Sequence, residues 1–337
     1  MAAKVLKADF QHYDNVNYNN YLKKESPTLK KAESVQERRI KVQEVKDSYL
    51  ADIASIESHS SETLKEVLKI IRPWEWLCDP VFIGIQNIPI ERPALFVANH
   101  TIMAVFDTLC LWKKLFENNK IALRILADHY HYKIPYWKDF LYRLGVVEGT
   151  RANCSYLMEH KKNLLVFPGG AREAFKLKGE KYNLFWKHRT GFARMAIEHQ
   201  YPIIPISSVG PEECYDILVD NHEIYNSPLG KLFKTIGYRQ ESIFPIVKGI
   251  GPTLIPKPQK IYLKFGKPIE TSSLNGECNN IQNCMGIFNE TKDEVQKGIN
   301  ELLLLRSSEP PDLKITKRLK EKLFDYSLDY LIKFFSK

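Results

Sequence analysis

Residues 163–182, NLLVFPGGAREAFKLKGEKY, combine a short apolar run, a glycine pair and a string of basic side chains. The run NLLVFP predicts a buried strand that ends at its proline. Gly169 and Gly170 allow backbone conformations and close approaches that a Cβ would prevent, so main-chain amides there can face an anion or an oxyanion. Arg172 offers a planar fork for phosphate or carboxylate, and Glu173 either pairs with it or positions a substrate hydroxyl. Together they indicate a phosphate site, with a plain solvated turn as the alternative.

Outward from this stretch, short apolar runs alternate with segments of helical period. The runs have the pattern of buried strands and cover residues 94–98, 123–128, 163–168, 202–210 and 260–266. Helical spacing falls between them, at residues 107–118, 137–144, 151–160 and 189–200. This alternation predicts an α/β fold, a mostly parallel or mixed central sheet covered by helices. The predicted domain covers residues 78–306.

A second feature follows the run ALFVA, where the sequence continues NHTIMAVFD over residues 99–107. Catalytic groups of open α/β sheets gather at the carboxyl ends of strands, so His100 is well placed to act as a general base. On a continuous helix Asp107 would lie on the same face but about 10.5 Å further along the axis. For Asp107 to hold the imidazole and fix its tautomer, residues 100–103 must form a turn. The alternative is a histidine that caps a helix and an unrelated aspartate.

Two further stretches carry polar residues at predicted strand ends. In LGVVEGTRANCSYLMEH, Thr150 or Asn153 can cap a helix, and Arg151 sits near its N-terminus. A cation there opposes the helix dipole unless an anion intervenes, so Arg151 is either a phosphate contact or a solvated surface residue. Asp128 and His129 close another strand. We favour local hydrogen bonding for this pair over metal ligation, because no further ligand at metal-site spacing follows.

The net charge of the 337 residues is +9, from 49 Lys and Arg against 40 Asp and Glu, which indicates an anionic partner. Residues 1–80 hold 13 side chains of each sign, so the whole excess lies beyond them. Residues 161–194 carry nine basic side chains against two acidic ones, and residues 314–337 carry seven against three. We expect an anion to be met at one or both of these places.

Composition divides the chain around the predicted domain. Residues 1–33 are polar and have the character of a flexible tail, whereas residues 34–77 carry apolar residues at helical spacing among many charges. The second pattern predicts an amphipathic helical extension packed on the domain, or a membrane-surface or oligomer-forming face. Residues 307–337 begin with a proline-rich break and continue as a basic amphipathic helix. Six cysteines without a C-x-x-C pair and the lack of a signal-peptide core predict a reduced, cytosol-facing protein.

Several function classes lack their sequence signatures. The chain has no G-x-S-x-G elbow, which argues against the serine nucleophile of an α/β-hydrolase. Neither G-x-x-x-x-G-K-[ST] nor G-x-G-x-x-G is present, which argues against P-loop and dinucleotide-binding folds. The basic segments carry no helix-turn-helix, zinc-finger or RNA-recognition signature, so no nucleic-acid partner is predicted.

Four segments, NHTIMAVFD, VVEGTR, VFPGGAREA and YPIIPI, occur in the order and approximate spacing of the four blocks of the glycerolipid (PlsC-like) acyltransferases. The chain resembles this family over roughly residues 78–270. It is most similar to the branch of transmembrane protein 68 and, more remotely, to phytyl ester synthases and type 2 diacylglycerol acyltransferases. One departure concerns spacing, because six residues separate His100 from Asp107 where the family motif has four.

The resemblance implies an acyl-CoA-dependent O-acyltransferase that uses acyl-CoA as co-substrate and needs no metal or other cofactor. His100, with Asp107, would deprotonate the hydroxyl of a lysophospholipid or of a mono- or diacylglycerol, and that hydroxyl would attack the thioester directly. The residues implied to bind substrate and phosphate are Arg151, Phe167, Pro168, Gly169, Gly170, Arg172 and Glu173.

Such substrates imply a membrane surface as a partner. The longest apolar stretch, residues 93–112, is interrupted by polar side chains, so no spanning helix is expected there. We therefore expect peripheral or monotopic attachment at the cytosolic face, with the basic C-terminal helix either as the anchor or packed on the domain. A catalytically inactive acyl-CoA- or lipid-binding protein of the same fold and a thioester hydrolase are the competing hypotheses.

Overall fold

The computed structural model describes residues 56–57, 60–70, 72–102, 106–133, 136–235 and 240–308. The predicted tail at 1–33, much of the extension at 34–77 and the helix predicted at the C-terminus lie outside the described residues. Of the extension, Ser61–Ile70 (α1) and part of Arg72–Cys78 (α2) are described, and both are helical.

The centre of the domain is a seven-stranded sheet, and a second, smaller sheet has two strands. The strands of the two sheets, in chain order, are Val81–Ile83 (β1), Leu95–Ala98 (β2), Leu123–Ala127 (β3), Val146–Glu148 (β4), Asn163–Val166 (β5), Ile203–Val209 (β6), Asp216–Val219 (β7), Ile246–Lys248 (β8) and Tyr262–Phe265 (β9). The central sheet has the order β1-β9-β6-β2-β5-β3-β4, and β7 pairs with β8 separately. Neighbours in the central sheet are parallel except β6 and β9. The predicted mostly parallel sheet is confirmed.

Helices cover both faces of this sheet. Beyond α1 and α2 they are Phe106–Asn119 (α3), Trp137–Leu144 (α4), Arg151–Glu159 (α5), Ala171–Ala174 (α6), Gly191–His199 (α7), Asn221–Asn226 (α8), Pro228–Thr235 (α9) and Ile281–Ser308 (α10). Short 3₁₀ turns lie at Ile85–Asn87, His129–Lys133, Pro211–Glu213, Gln240–Ser242 and Ser272–Leu274. Within these ranges no helix is both long and apolar enough to cross a membrane.

Strand β2 shows how the sheet separates two cores. All four of its residues are buried, as a strand covered on both faces requires. Leu95 and Val97 pack into one core with residues of α5, α7 and α10. Phe96 and Ala98 point the other way, into a core built with α1, α3 and α4. Because successive side chains of a strand point to opposite faces, alternate residues of β2 contact the helices on opposite sides of the sheet.

The long helix α10 packs closely on β6. The hydroxyl of Ser207 donates to the carbonyl oxygen of Val295 at 2.8 Å. A Cβ on Gly298 would overlap the Ser207 side chain, so this helix position needs glycine for close approach. The contact holds β6 in place, and β6 carries one wall of the site described next.

Candidate active site

Three neighbouring parallel strands end at the same edge of the sheet. β2 ends before His100, and β5 ends before the glycine turn at residues 167–170. β6, on the other side of β2, ends before the segment 210–213. His100 therefore lies between the glycine turn and the 210–213 segment, at the position where α/β sheets place ligands and catalytic groups.

The tautomer of His100 is fixed by the main chain. Its Nδ1 lies 3.0 Å from the carbonyl oxygen of Thr101. Because a carbonyl oxygen only accepts hydrogen bonds, Nδ1 carries the proton and Nε2 is left as the basic nitrogen. The ring of Phe167 packs on the imidazole with centroids 4.8 Å apart. Burial lowers the pKa of His100 from 6.5 to about 4, while the Thr101 contact opposes the shift and the charge of Lys176 adds to it.

Of the two alternatives that the sequence leaves open for Asp107, a hold on the imidazole is not among the contacts that its carboxylate makes in the described residues. Among the described residues, Oδ2 of Asp107 accepts from the hydroxyls of Thr101 at 3.0 Å and Ser208 at 2.6 Å. Its Oδ1 accepts from the N–H of Thr108 at 2.9 Å. Thr101 comes between the two groups, because its carbonyl meets the ring and its hydroxyl meets the carboxylate. Burial raises the pKa of the Asp107 carboxyl, and the three hydrogen bonds oppose this shift. The catalytic role of Asp107 stays a prediction.

Glu173 anchors the main chain of His100. Its Oε2 accepts from the N–H of His100 at 2.8 Å, and its Oε1 accepts from the N–H of Phe185 at 2.7 Å. The side chain is fully buried, which raises the pKa of its carboxyl. Arg172 pairs with Glu180 and not with Glu173, and the role of Glu173 in positioning a substrate stays a prediction. Glu173 holds the histidine segment and the segment after the glycine turn in one arrangement.

A buried ion pair holds the carbonyl group of His100. Nζ of Lys176 donates to the carbonyl oxygen of His100 at 3.0 Å and also to the carboxylate of Glu212. The exposed fractions of the two charged side chains are 1% and 0%. The N–H and the C=O of His100 are therefore both held by buried charged side chains. Sequence analysis predicts neither the pair nor a role for Glu212, because the two residues are brought together only by the fold.

The predicted phosphate contacts are engaged within the protein. Arg172 donates to Glu180 at 2.6 Å and stacks on the ring of Phe185 with its Cζ 3.9 Å from the centroid. Arg151, at the start of α5, donates to Glu198 at 2.8 Å. Their phosphate-binding roles stay predictions. In the described structure Nη2 of Arg172 carries the ion pair, whereas its Nη1 is buried without a hydrogen-bond partner.

The lysines after the turn are also paired. Lys178 donates to Glu223 at 2.7 Å, and Nζ of Lys181 lies 3.8 Å from a carboxylate oxygen of Glu213. The string of basic residues that suggested an open phosphate site therefore forms a set of ion pairs in the described structure.

Two side chains that sequence analysis does not single out complete the site. Asn99 donates through Nδ2 to the carbonyl oxygen of Ser208 at 3.0 Å and accepts the Ser208 N–H at 2.8 Å, which ties the ends of β2 and β6 together. Arg189 donates from one nitrogen to the carbonyl oxygens of Pro168 and Gly169, each at 3.0 Å. The position of Asn99 next to His100 is the one feature of the sequence that could have placed it in the site. No local feature of the sequence points to Arg189 as part of the site.

The glycine turn leaves no room for a side chain at residue 169. A Cβ on Gly169 would overlap Cγ and Cδ of Glu173. We expect Gly169→Ala to cost about 1–3 kcal/mol of unfolding free energy, because the buried carboxylate must move. It should also lower turnover by releasing the His100 N–H. The control is Gly191→Ala, where a Cβ meets nothing within 4 Å. Urea unfolding of both variants checks this, and equal midpoints would contradict it.

Comparison with known proteins identifies the family of this fold and site. A family model described as Acyltransferase matches residues 80–209, which include His100, the glycine turn and Glu173. Phytyl ester synthase 2 of Arabidopsis thaliana is 31% identical over 243 residues, 67% of this chain and 34% of that protein. A human protein described as "DGAT1/2-independent enzyme synthesizing storage lipids" is 35% identical over 123 residues, 36% of this chain and 37% of that protein. The chain spans about a third of the length of these curated relatives.

Among solved structures, the PlsC 1-acyl-sn-glycerophosphate acyltransferase of Thermotoga maritima aligns with a TM-score of 0.44 at 20% identity, covering 71% of this chain and 79% of that one. The histidine at the end of β2 and the glycine turn after β5 lie within the region that matches the acyltransferase model. The chain belongs to the glycerolipid (PlsC-like) acyltransferase family, in the branch that includes the human relative above and the phytyl ester synthases.

Proposed function

We propose that this protein is an acyl-CoA-dependent O-acyltransferase that esterifies the hydroxyl of a lipid, with His100 as the general base. The observation that carries the proposal is the fixed tautomer of His100, which leaves Nε2 unprotonated beside the glycine turn. A burial-lowered pKa keeps the imidazole neutral at physiological pH, as a base must be.

The proposed reaction is a direct transfer without an acyl-enzyme. The acceptor oxygen attacks the thioester carbonyl carbon while its proton passes to Nε2 of His100. The C–S bond then breaks, and the imidazolium returns the proton to the CoA sulfur, so an ester and free CoA result. The N–H of Gly170 already donates to the carbonyl oxygen of Phe167 at 3.0 Å. We therefore take the N–H groups of Gly169 and Ala171 as the candidate donors to the oxyanion.

We propose a neutral acceptor. Three cations near the turn, Arg172, Lys176 and Lys178, each pair with a carboxylate, with which a phosphate on the acceptor would have to compete. Arg189 instead donates to the main-chain carbonyls of the turn itself. The relatives' names point the same way, since one refers to phytyl esters and another to storage lipids. We therefore propose a long-chain alcohol, a monoacylglycerol or a diacylglycerol as acceptor.

An acceptor panel tests the proposal. The full chain is incubated with radiolabelled oleoyl-CoA and separately with a long-chain alcohol, monoacylglycerol, diacylglycerol and several lysophospholipids. We expect labelled ester with a neutral acceptor. Ester only from lysophospholipids would overturn the acceptor class. Binding of oleoyl-CoA without any product would instead show the inactive binding protein, and labelled free oleate without ester would show a hydrolase.

The pH dependence of turnover follows from the lowered pKa of His100. Its pKa lies below the ordinary value of 6.5, so the free base persists as the pH falls towards about 4. We expect kcat/KM to stay constant through pH 6.5 and to fall only as the pH approaches the lowered pKa. The measurement is the pH profile of kcat/KM for ester formation over the range in which the protein stays folded by circular dichroism. An acid limb centred near 6.5 would contradict the buried imidazole.

A further inference from the structure

The chain between β6 and β9 forms an insertion at the catalytic edge of the sheet. β6 and β9 are antiparallel neighbours, which a tight turn would join, yet residues 210–261 separate them. β6 runs parallel to β2 and ends at the edge where His100 lies, and β9 begins at that edge. The insertion, with its own small sheet of β7 and β8, is therefore anchored beside the active site.

This insertion exposes large apolar side chains. They are Leu218, Phe244, Ile246, Ile250, Leu254 and Ile255. In the β7–β8 pair, Ile217 lies opposite the buried Val247, and the register then shifts before Val219. The neighbouring Leu218 and Ile246 are 46% and 53% exposed. Leu254 and Ile255 are 70% and 59% exposed. Exposed apolar side chains that are concentrated in one insertion, and not scattered singly, are typical of an interaction surface.

The loop that carries three of these side chains is held in shape by its own hydrogen bonds. The N–H of Gly249 donates to the carbonyl oxygen of Thr253, and the N–H of Ile250 donates to that of Ile255, both at 2.7 Å. The hydroxyl of Tyr215 donates to the carbonyl oxygen of Leu254 at 3.2 Å. With its main chain fixed in this way, residues 249–256 present aliphatic side chains without having to order first on contact.

The exposed surface is connected to the site. The ring of Phe244 packs on that of Phe175 with centroids 4.4 Å apart, and Phe175 directly follows the helix that contains Glu173. Exposed aromatic side chains also occur at the start of α4, where Tyr136 and Trp137 follow the turn after β3. Tyrosine and tryptophan are the side chains that favour the headgroup level of a bilayer.

The charges of the insertion favour an anionic partner. Every carboxylate in its described residues accepts from a cation or from a main-chain N–H: Glu212, Glu213, Asp216, Asp220, Glu223 and Glu241. In contrast, Lys231 and Lys248 form no ion pair within the part of the chain that the structure describes. Lys234 lies over the ring of Tyr225, 4.5 Å from its centroid, without a carboxylate partner among the same residues. Apolar side chains and lysines without a carboxylate partner together match the headgroup region of an anionic bilayer.

We infer that the loop 249–256, with Leu218, Phe244 and Ile246, inserts into the headgroup region of an anionic lipid bilayer and holds the active-site edge against the membrane. The inference rests on the proposed function, because a lipid hydroxyl embedded in a bilayer must reach His100 from that side. It assigns the membrane contact to the catalytic domain itself, beside the glycine turn.

The test is binding of the full chain to vesicles of phosphatidylcholine with phosphatidylserine. Leu254→Ser/Ile255→Ser should weaken binding about tenfold or more, since two inserted aliphatic side chains are lost. The matched control is Ile90→Ser/Ile281→Ser, which removes two aliphatic side chains that are 76% and 72% exposed, and it should bind like the wild type. Wild-type binding should also weaken on vesicles of phosphatidylcholine alone.

Several results would overturn the inference. One is that the Leu254→Ser/Ile255→Ser variant binds vesicles as well as the wild type does. The same conclusion holds if only the removal of residues 309–337 abolishes binding. Another is a dimer that this variant converts to a monomer without any change in vesicle binding, which would make a second copy the partner.

Turnover with a detergent-dispersed acceptor should be unchanged in the variant. If the wild type binds vesicles but makes no ester in any format, the proposed function fails while the membrane contact stands.

Discussion

We expect replacement of His100 with alanine to lower ester formation by a factor of at least about 10²–10⁴ while the fold stays intact. The reason is that no other described side chain presents an unprotonated ring nitrogen at the end of β2, where Nε2 of His100 is left free by the Thr101 contact. The fold should not depend on the imidazole, because Glu173 and Lys176 bind the main chain of His100, which alanine retains. The measurement is the initial rate of labelled ester formation, with circular dichroism as the check on folding.

The matched control for this variant is His160→Ala. The Nδ1 of His160 contacts the carbonyl oxygen of Tyr156 at 2.8 Å, as that of His100 contacts Thr101, but it lies at the end of α5. We expect His160→Ala to keep its turnover. Equal rates for the His100→Ala variant and the wild type would remove His100 from the mechanism. Equal losses in both histidine variants would show a general effect on the fold.

Replacing Lys176 with methionine has the largest expected effect on stability. It leaves the carboxylate of Glu212 buried without its cation, and the loss of one partner of a buried ion pair costs about 3–5 kcal/mol. The carbonyl oxygen of His100 also loses its hydrogen bond, so turnover should fall even in the protein that remains folded. Urea unfolding gives the stability, and ester formation per folded molecule gives the second effect.

Two comparisons separate these effects. Lys178→Met breaks an exposed ion pair with Glu223 and should cost much less stability than Lys176→Met, because water screens exposed charges. Lys176→Met/Glu212→Leu removes both buried charges and should recover most of the lost stability, but not the turnover, because the His100 carbonyl stays without Lys176. Recovery of both together would assign Lys176 a purely structural role. A single variant as stable as Lys178→Met would contradict the buried pair.

The central strands and the place of the histidine follow from the sequence. β2, β5 and β6 are read from their apolar runs, and in a parallel sheet their carboxyl ends meet at one edge, so His100 and the glycine turn are expected to be neighbours. The edge strands β1 and β4 are three residues long and show no period that sequence analysis can detect. The strands of the insertion at residues 210–261, β7 and β8, are not predicted from the sequence for the same reason, because they are also short.

The partners of the site residues do not follow from the sequence. The sequence leaves open whether Asp107 reaches the imidazole, and in the structure its carboxylate binds the hydroxyls of Thr101 and Ser208. Ser208 lies on another strand, and no local pattern links it to Asp107. Lys176 resembles any lysine in a basic string until β6 brings Glu212 beside it. Charge counts predict an anion near the turn, whereas the fold satisfies most of that charge with its own carboxylates.

The central claim is that this chain joins an acyl group to a lipid hydroxyl by direct transfer from CoA at His100. It is tested most directly by measuring labelled ester and free CoA in the same reaction, with oleoyl-CoA and the neutral acceptor that gives the highest rate. The account predicts one ester for each CoA released by the wild type, and neither product above background with His100→Ala. Release of CoA without ester, or ester formation that survives in the His100→Ala variant, would contradict it.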